Sequence, residues 1–187
     1  MWALVEDNAI VKIINQPKGM VIGDTRHSRK IFSLWSVAEK EAKGIYEVVF
    51  DNTNKKDEAY YNNTNQSFDF ADGVVTASYG SATAKALADV TDEDDNVTDG
   101  LKTKHKEIIK RQASGLLIPT DWYVIKATDV ESYSVPSAVT TFRANVRTKS
   151  NDMEVLIDAC STVDELAALY VYTDGTRPLG EFPTLEI

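Results

Sequence analysis

The stretch that decides the fold is residues 99–119, which read DGLKTKHKEIIKRQASGLLIP. With about 100° between successive residues, its apolar positions share a sector of roughly 100° and its basic positions occupy the rest. Asp99 is suited to cap a helix, and Pro119 cannot continue one. The stretch therefore predicts one amphipathic helix from about Asp99 to Leu117. Its apolar stripe contains Leu101, His105, Ile108, Ile109, Gln112 and Leu116, and its basic face contains Lys104, Lys106, Lys110 and Arg111.

Helix signals continue towards the C-terminus. Pro136 is suited to the first turn of a helix, and apolar residues at positions 139, 142 and 146 follow at helical spacing. Two further pairs, Asn151 with Glu154 and Thr162 with Glu165, fit N-terminal caps. They predict short helices over residues 152–160 and 163–170. Residues 121–126 are expected to be extended or a loop, and residues 174–187 are expected to be a loop.

The sequence before residue 90 is typical of β-structure. Residues 2–5 and 10–14 are β-rich runs around a polar turn, and they predict a hairpin. Ser36 with Glu39 predicts one short helix that ends at Gly44. Further strands are predicted over residues 45–50, 59–61, 68–70 and 74–79, with a hairpin turn at Asp72-Gly73, and the Ala-rich residues 81–90 are compatible with a short helix.

These patterns predict an α+β protein with three parts. A β-rich N-terminal lobe with one short helix is expected over residues 1–90, and an acidic linker over residues 91–100. A helical lobe of helix-loop-helix type with a loop tail is expected over residues 101–187.

Composition and charge narrow the class of protein. The chain has 187 residues, 43% of them hydrophobic, which is enough to form a packed core. Its 20 basic and 29 acidic residues give a net charge of −9, which argues against a general nucleic-acid binder. The charge is uneven, because residues 101–150 carry nine basic and four acidic residues, whereas residues 151–187 carry one basic and eight acidic residues. We therefore expect the basic block to face acidic protein surface, with the chain's own C-terminal part as one candidate.

The sequence contains no targeting or membrane signal that we recognise. Its apolar runs are far shorter than the roughly 20 residues that a bilayer needs. Its first residues lack the basic start and apolar run of a signal peptide. We therefore expect the chain to be cytoplasmic at synthesis, without a membrane partner.

Candidate chemical sites are weak. Residues 92–96 are acidic, but an EF-hand loop that starts at Asp92 would need Gly and Glu where Val97 and Thr103 stand. Residues 80–85 lack the second glycine and the hydroxyl residue of a phosphate loop. The single cysteine, Cys160, and the histidine His105 both fall on apolar helix faces, and His27 has no obvious partner in its polar loop. We expect no enzyme activity, no metal ion and no cofactor.

One region carries a recognisable pattern. It begins at residues 109–111, runs through Leu116-Leu117 to Thr120-Asp121-Trp122, and closes with Phe142-Arg143 and Arg147. Over about residues 101–170 this pattern resembles the small tail-assembly chaperone-like domain of tailed bacteriophages. Residues 1–7, 30–36 and 43–46 are similar to the β-rich lobe of phage tail proteins that carry such a region.

The resemblance implies a non-enzymatic tail-associated protein. It would act through protein–protein contacts, as a tail or tail-fibre assembly factor or as a small virion component. The implied partners are phage tail or tail-fibre proteins, with a second copy of the chain in a virion ring as a further option. The implied locations are the host cytoplasm during assembly and the virion tail. The alternative is a nucleic-acid-associated phage protein that uses the basic face of residues 101–117, although nucleic acid is not expected for so acidic a chain.

The motif residues allow two roles. In the first, Asp121, Arg143 and Arg147 connect the two helices, and Trp122 supplies apolar surface to the joint between them. In the second, Trp122 and the arginines contact a partner protein, because Trp and Arg are enriched at interface hot spots.

Overall fold

The computed structural model describes residues 1–186 and has an α+β fold. The chain forms two compact units, one from Met1 to Thr83 and one that begins at Ala84. The expected boundary at residue 90 therefore lies seven residues after the boundary in the structure.

The first unit is built on a five-stranded sheet with the order β2-β1-β5-β8-β7. All its neighbouring strands are antiparallel except β5 and β8, which are parallel. The strands of the sheet are β1 (Trp2–Glu6), β2 (Ala9–Ile14), β5 (Ile45–Asp51), β7 (Ser67–Ala71) and β8 (Val74–Ser78). The smaller elements are β3 (Met20–Ile22), β4 (Thr25–His27), α1 (Ile31–Leu34), α2 (Val37–Glu41), β6 (Tyr61–Asn62) and β9 (Thr83–Ala84), the last at the unit boundary.

Local signals in the first unit are confirmed. Ser36 and Glu39 form the expected capping box at the start of α2, with the Ser36 backbone N–H donating to Glu39 Oε2 at 2.7 Å. Gly44 ends this region with φ +75°, and an added Cβ would lie 2.3 Å from the Val5 carbonyl oxygen. Only glycine fits there, because both the positive φ and the close approach exclude a side chain. Asp72 and Gly73 form the predicted turn with φ values of 52° and 77°.

The sheet buries apolar side chains on both faces. Residues of alternate parity along β1 face opposite sides, as the two-residue period of a strand requires. Leu4 belongs to one cluster and Ala3 and Val5 to the other. The first cluster contains Leu4, Ile14, Met20, Ile31, Phe32 and Ile45, and the second contains Ala3, Val5, Val48, Val75 and Ala77.

The second unit is mainly helical. Its core is formed by α3, which buries Leu101, Ile109 and Ala113, and by α5, whose buried residues repeat every three or four positions. The elements are β10 (Val90–Thr91), β11 (Val97–Thr98), α3 (Leu101–Leu117), a 3₁₀ turn (Ile118–Thr120), α4 (Asp121–Asp129), α5 (Ser137–Ala159) and α6 (Val163–Ala168).

The segment before α3 differs from the expectation. The short helix over residues 81–90 is wrong, because this segment contains β9, a bend at residues 87–88 and the first residue of β10. Residues 91–100 contain the turn and second strand of the β10–β11 hairpin, where the sequence suggested a linker. The carboxylate of Asp92 organises its turn by accepting hydrogen bonds from the backbone N–H groups of Asp94 and Asn96. The cluster of polar residues therefore has a local structural role.

The start of α3 also needs a correction. Gly100, and not Asp99, is the N-cap residue, and its backbone N–H donates to Asp89 Oδ1 at 2.8 Å. An added Cβ on Gly100 would lie 2.3 Å from the Ala88 carbonyl group. The chain therefore enters α3 through a close backbone approach that only glycine permits.

Two helical expectations after Pro119 are wrong. Residues 121–126 lie in α4 and are not extended, since Asp121 occupies the first turn, where a carboxylate stabilises a helix. Residues 152–160 do not form a separate helix, because α5 is one helix of 23 residues. Met153 and Ile157 continue its buried stripe, so no break is favoured at Asn151. The end of α3 before Pro119, the buried face of α5 and the capping box of α6 are confirmed.

The chain after α6, over residues 169–186, is called the C-terminal segment. Its expected loop character is confirmed for residues 174–186. It nevertheless packs closely, because Leu179 is fully buried and its N–H donates to the Leu169 carbonyl at 3.1 Å. Phe182 and Leu185 pack against the cluster of Ala113, Phe142 and Val146 on α3 and α5. Among the described residues, no helix is long and apolar enough to cross a membrane.

Candidate functional site

The corner between α3, α4 and α5 brings together most of the motif residues, with Arg143 at its centre. Its Nη1 atom lies 2.7 Å from Asp121 Oδ1 and 2.9 Å from the Leu117 carbonyl oxygen. The same atom donates to Thr120 Oγ1, and the Thr120 hydroxyl donates in turn to the Leu117 carbonyl at 2.7 Å. One side chain of α5 therefore connects the end of α3 with the start of α4.

The electrostatics of the corner favour this arrangement. Arg143 places a cation at the C-terminal end of α3, and Asp121 places an anion at the N-terminal end of α4. Each charge complements the helix dipole beside it. The Arg143 side chain is 12% exposed and Thr120 is buried, so their hydrogen bonds are shielded from water. The contacts of Arg143 and Asp121 are those expected for a connecting role.

Arg147 does not share that role. It is exposed, and its guanidinium donates to the Arg143 carbonyl of its own helix at 3.3 Å. Within residues 1–186 we find no carboxylate in ion-pair distance of Arg147. The expectation that both arginines connect the helices is therefore wrong for Arg147.

Trp122 is also placed differently from the first expectation. It is 50% exposed and lies against the neighbouring Tyr123 ring, with 3.9 Å between centroids. None of the nine residues of α4, all in the described part of the chain, is buried. Trp122 therefore does not fill the joint between the helices.

Two exposed isoleucines extend the apolar surface of Trp122. Ile118, in the 3₁₀ turn before α4, is 62% exposed, and Ile125 is 60% exposed and lies three residues after Trp122, on the next turn of α4. We call these three residues the exposed stripe. Neither isoleucine is predicted from the sequence as a site residue, because residues 121–126 are expected to be extended or a loop. The helical spacing from Ile118 to Ile125 was the signal that could have identified them.

A groove of about 580 Å³ lies between α3 and α5 beside this stripe. We call it the open groove. Its lining contains both short side chains and charged side chains. The short side chains are Ala113, Ser114, Ser150 and Asn151, and the charged ones are Lys110, Asp121, Arg143, Arg147 and Glu154.

The basic face of α3 is partly neutralised by the chain itself. Lys106 Nζ lies 2.8 Å from Asp158 Oδ1, and Lys110 Nζ lies 3.3 Å from Glu154 Oε2. The hydrogen bond to Asp158 raises the pKa of Lys106. The expectation that the basic block meets the chain's own C-terminal acidic part is confirmed for these two lysines. Lys104 and Arg111 are exposed and form no ion pair that we find among the described residues.

The nucleophilic and titratable residues have structural surroundings. Cys160 is buried, and burial raises the pKa of its thiol, which disfavours the thiolate. Burial lowers the pKa of His105, whose Nδ1 lies 2.7 Å from the Tyr170 hydroxyl. The His27 ring packs edge-on against Trp35 at 5.1 Å between centroids. In residues 1–186 no group of three or more His, Cys, Asp or Glu side chains is arranged to hold a metal ion.

Comparisons of the chain with protein families, with curated proteins and with solved structures found no match. The functional argument therefore depends on the residues of the corner and on the sequence pattern that connects them.

Proposed function

We propose that the chain is a non-enzymatic bacteriophage tail-associated protein that acts through protein–protein contacts. It would serve as a tail or tail-fibre assembly factor or as a small tail component. The observation that carries the proposal is the exposed stripe, since a tryptophan and two isoleucines within eight residues at the start of α4 are all at least half exposed. Apolar patches of this kind mark interaction surfaces in soluble proteins.

The surroundings of the stripe support a docking role. Arg143 and Asp121 fix the start of α4 through partly buried contacts, so Trp122 and Ile125 are presented on a preorganised helix. Tryptophan and arginine are the residues most enriched at interface hot spots, and Trp122 and Arg147 are both exposed here. The phage assignment itself is supported by the sequence resemblance over residues 101–170.

The alternative of nucleic-acid binding has less support from the geometry. Lys106 and Lys110 are engaged by carboxylates of α5, which leaves fewer cations for phosphate contacts. The basic face also lacks exposed aromatic side chains between its lysines.

Sedimentation of a tagged chain with tail structures tests the proposal in cells that produce the phage. We expect the wild-type chain to sediment with tail or tail-fibre proteins and Trp122→Ala to lose most of this association. Val155→Ala is the matched control, because Val155 is an exposed apolar residue of α5 outside the stripe. Sedimentation with nucleic acid alone, or no association with any tail protein, would contradict the proposal.

A further inference from the structure

The open groove and the exposed stripe meet at Ile118, which lines the groove and begins the stripe. Together they form one continuous surface that is polar at the groove and apolar along α4. The short side chains of Ala113, Ser114 and Ser150 leave room between α3 and α5 for side chains of another element. A third helix could therefore lie over the groove with its apolar side against the stripe.

The charges that line the open groove indicate which charge a third helix must have. Three cations line the groove, and two of them have carboxylate partners at short distance, Lys110 with Glu154 and Arg143 with Asp121. The third is Arg147, whose hydrogen bond goes to a carbonyl of its own helix. A guanidinium has five N–H donors in a planar fork that matches a carboxylate. Among the described residues, the groove lining therefore has one cation without a carboxylate partner, and beside the stripe Lys126 Nζ lies 5.7 Å from the centroid of the Trp122 ring.

We propose that this surface binds an acidic amphipathic helix of a partner protein. Its apolar residues would pack on Ile118, Trp122 and Ile125, and one of its Asp or Glu side chains would pair with Arg147. The proposal rests on the proposed function for the existence of a protein partner, and it adds the chemistry of the segment that binds.

A second copy of the chain is a poorer occupant. Of the three acidic residues of α5, Asp152, Glu154 and Asp158, the last two already pair with lysines of α3 and are not available to a neighbouring copy.

Nuclear magnetic resonance titration of the full chain with synthetic peptides tests the proposal. The probes are two amphipathic peptides of about 18 residues, long enough to form a helix. One has leucines on one face and glutamates on the other, and the second has lysines in place of the glutamates. We expect the Leu–Glu peptide to shift the amide signals of residues 118–126 and 147–154 and the Leu–Lys peptide to leave them unchanged.

Two charge reversals make the test specific. Arg147→Glu is expected to weaken the Leu–Glu peptide at least about tenfold, because the paired carboxylate then meets a like charge. Lys104→Glu makes the same change of net charge on an exposed residue outside the groove, and at about 0.15 M salt we expect an effect within about twofold. Circular dichroism of both variants checks that the helices are retained.

Several results would overturn the proposal. Equal weakening by both reversals would mean nonspecific charge attraction, and shifts confined to other residues would place binding elsewhere. Equal binding of the two peptides would remove the acidic requirement. A concentration-dependent dimer that Ile125→Glu abolishes would show a second copy on the surface. If tail proteins still associate in cells while the Leu–Glu peptide fails, the proposed function stands and this inference does not.

Discussion

The α3–α5 pair has two surfaces that its own chain treats in opposite ways. On the covered surface, Phe182 and Leu185 of the C-terminal segment pack against the cluster that contains Phe142 and Val146 of α5. On the open surface, the exposed stripe and Arg147 have no such cover among the described residues. The 18-residue C-terminal segment therefore covers one side of the helix pair and leaves the exposed stripe accessible to solvent.

The two surfaces also differ in how their charges are balanced. In the C-terminal segment, Glu181 accepts from the Tyr172 hydroxyl and pairs with Arg177 at 2.8 Å, and the tyrosine hydrogen bond lowers the pKa of the Glu181 carboxyl. On the open surface, Arg147 has no carboxylate partner within residues 1–186. The C-terminal segment therefore pairs its charges within itself, whereas the open surface carries a cation without a carboxylate partner among residues 1–186.

The largest expected effect comes from breaking the covered surface. Leu179→Ala removes a fully buried side chain, and we expect it to lower the free energy of unfolding by about 2–5 kcal/mol. Val171→Ala, an exposed residue of the same segment, should change it by less than about 0.5 kcal/mol. Urea denaturation followed by far-ultraviolet circular dichroism measures both. Equal stability of the two variants would show that the C-terminal segment does not complete the core.

A smaller loss of stability is expected from Arg143, at the centre of the corner between α3, α4 and α5. Arg143→Met leaves the Leu117 carbonyl, the buried Thr120 hydroxyl and Asp121 without their cation, at a cost of about 1–3 kcal/mol. Arg147→Met removes an exposed cation that bonds within its own helix, and should cost less than about 0.5 kcal/mol. The same denaturation assay compares them. If Arg147→Met destabilises the chain as much as Arg143→Met, the division of roles between the arginines is wrong.

The smallest stability effect depends on pH and comes from His105, which contacts Tyr170 of the C-terminal segment. Burial lowers the pKa of His105 below its ordinary value of 6.5, so the unfolded chain binds the proton more readily than the folded chain. Well above pH 6.5, His105 is neutral in both the folded and the unfolded chain, so it has no effect on stability. As the pH drops through 6.5 towards the lowered pKa, the unfolded chain binds the proton first, and the free energy of unfolding should fall. His105→Gln cannot titrate and should show a weaker decline over that range. Indistinguishable pH profiles would contradict the assignment.

The sequence predicted several elements for which residues close along the chain are decisive. The capping boxes at Ser36 and Thr162 and the positive-φ turn at Asp72-Gly73 depend on residues close along the chain. The stripe of Val139, Phe142 and Val146 was also readable, because a helix that packs on one side repeats its apolar residues.

Tertiary contacts decided the elements that the sequence did not predict. Residues 121–126 lack a strong helical pattern, and α4 begins where Arg143, 22 positions further on, meets Asp121. Gly100 replaces Asp99 as the N-cap because Asp89 binds its N–H and the Ala88 carbonyl lies too close for a side chain. In the candidate site, the sequence does not distinguish Arg143 from Arg147. Only the folded structure shows that Arg143 contacts the end of α3 whereas Arg147 bonds within its own helix.

The central claim is that the open surface serves a partner and not the fold. Photo-crosslinking in cells that produce the phage tests it most directly, with a benzophenone amino acid placed at Ile125 or, as the control, at Val155, which is exposed outside the stripe. We predict adducts with tail or tail-fibre proteins at position 125, lost when Trp122→Ala is added to a chain that keeps its melting temperature. Equal adduct yields at positions 125 and 155, or a Trp122→Ala chain that melts at much lower temperature, would contradict the account.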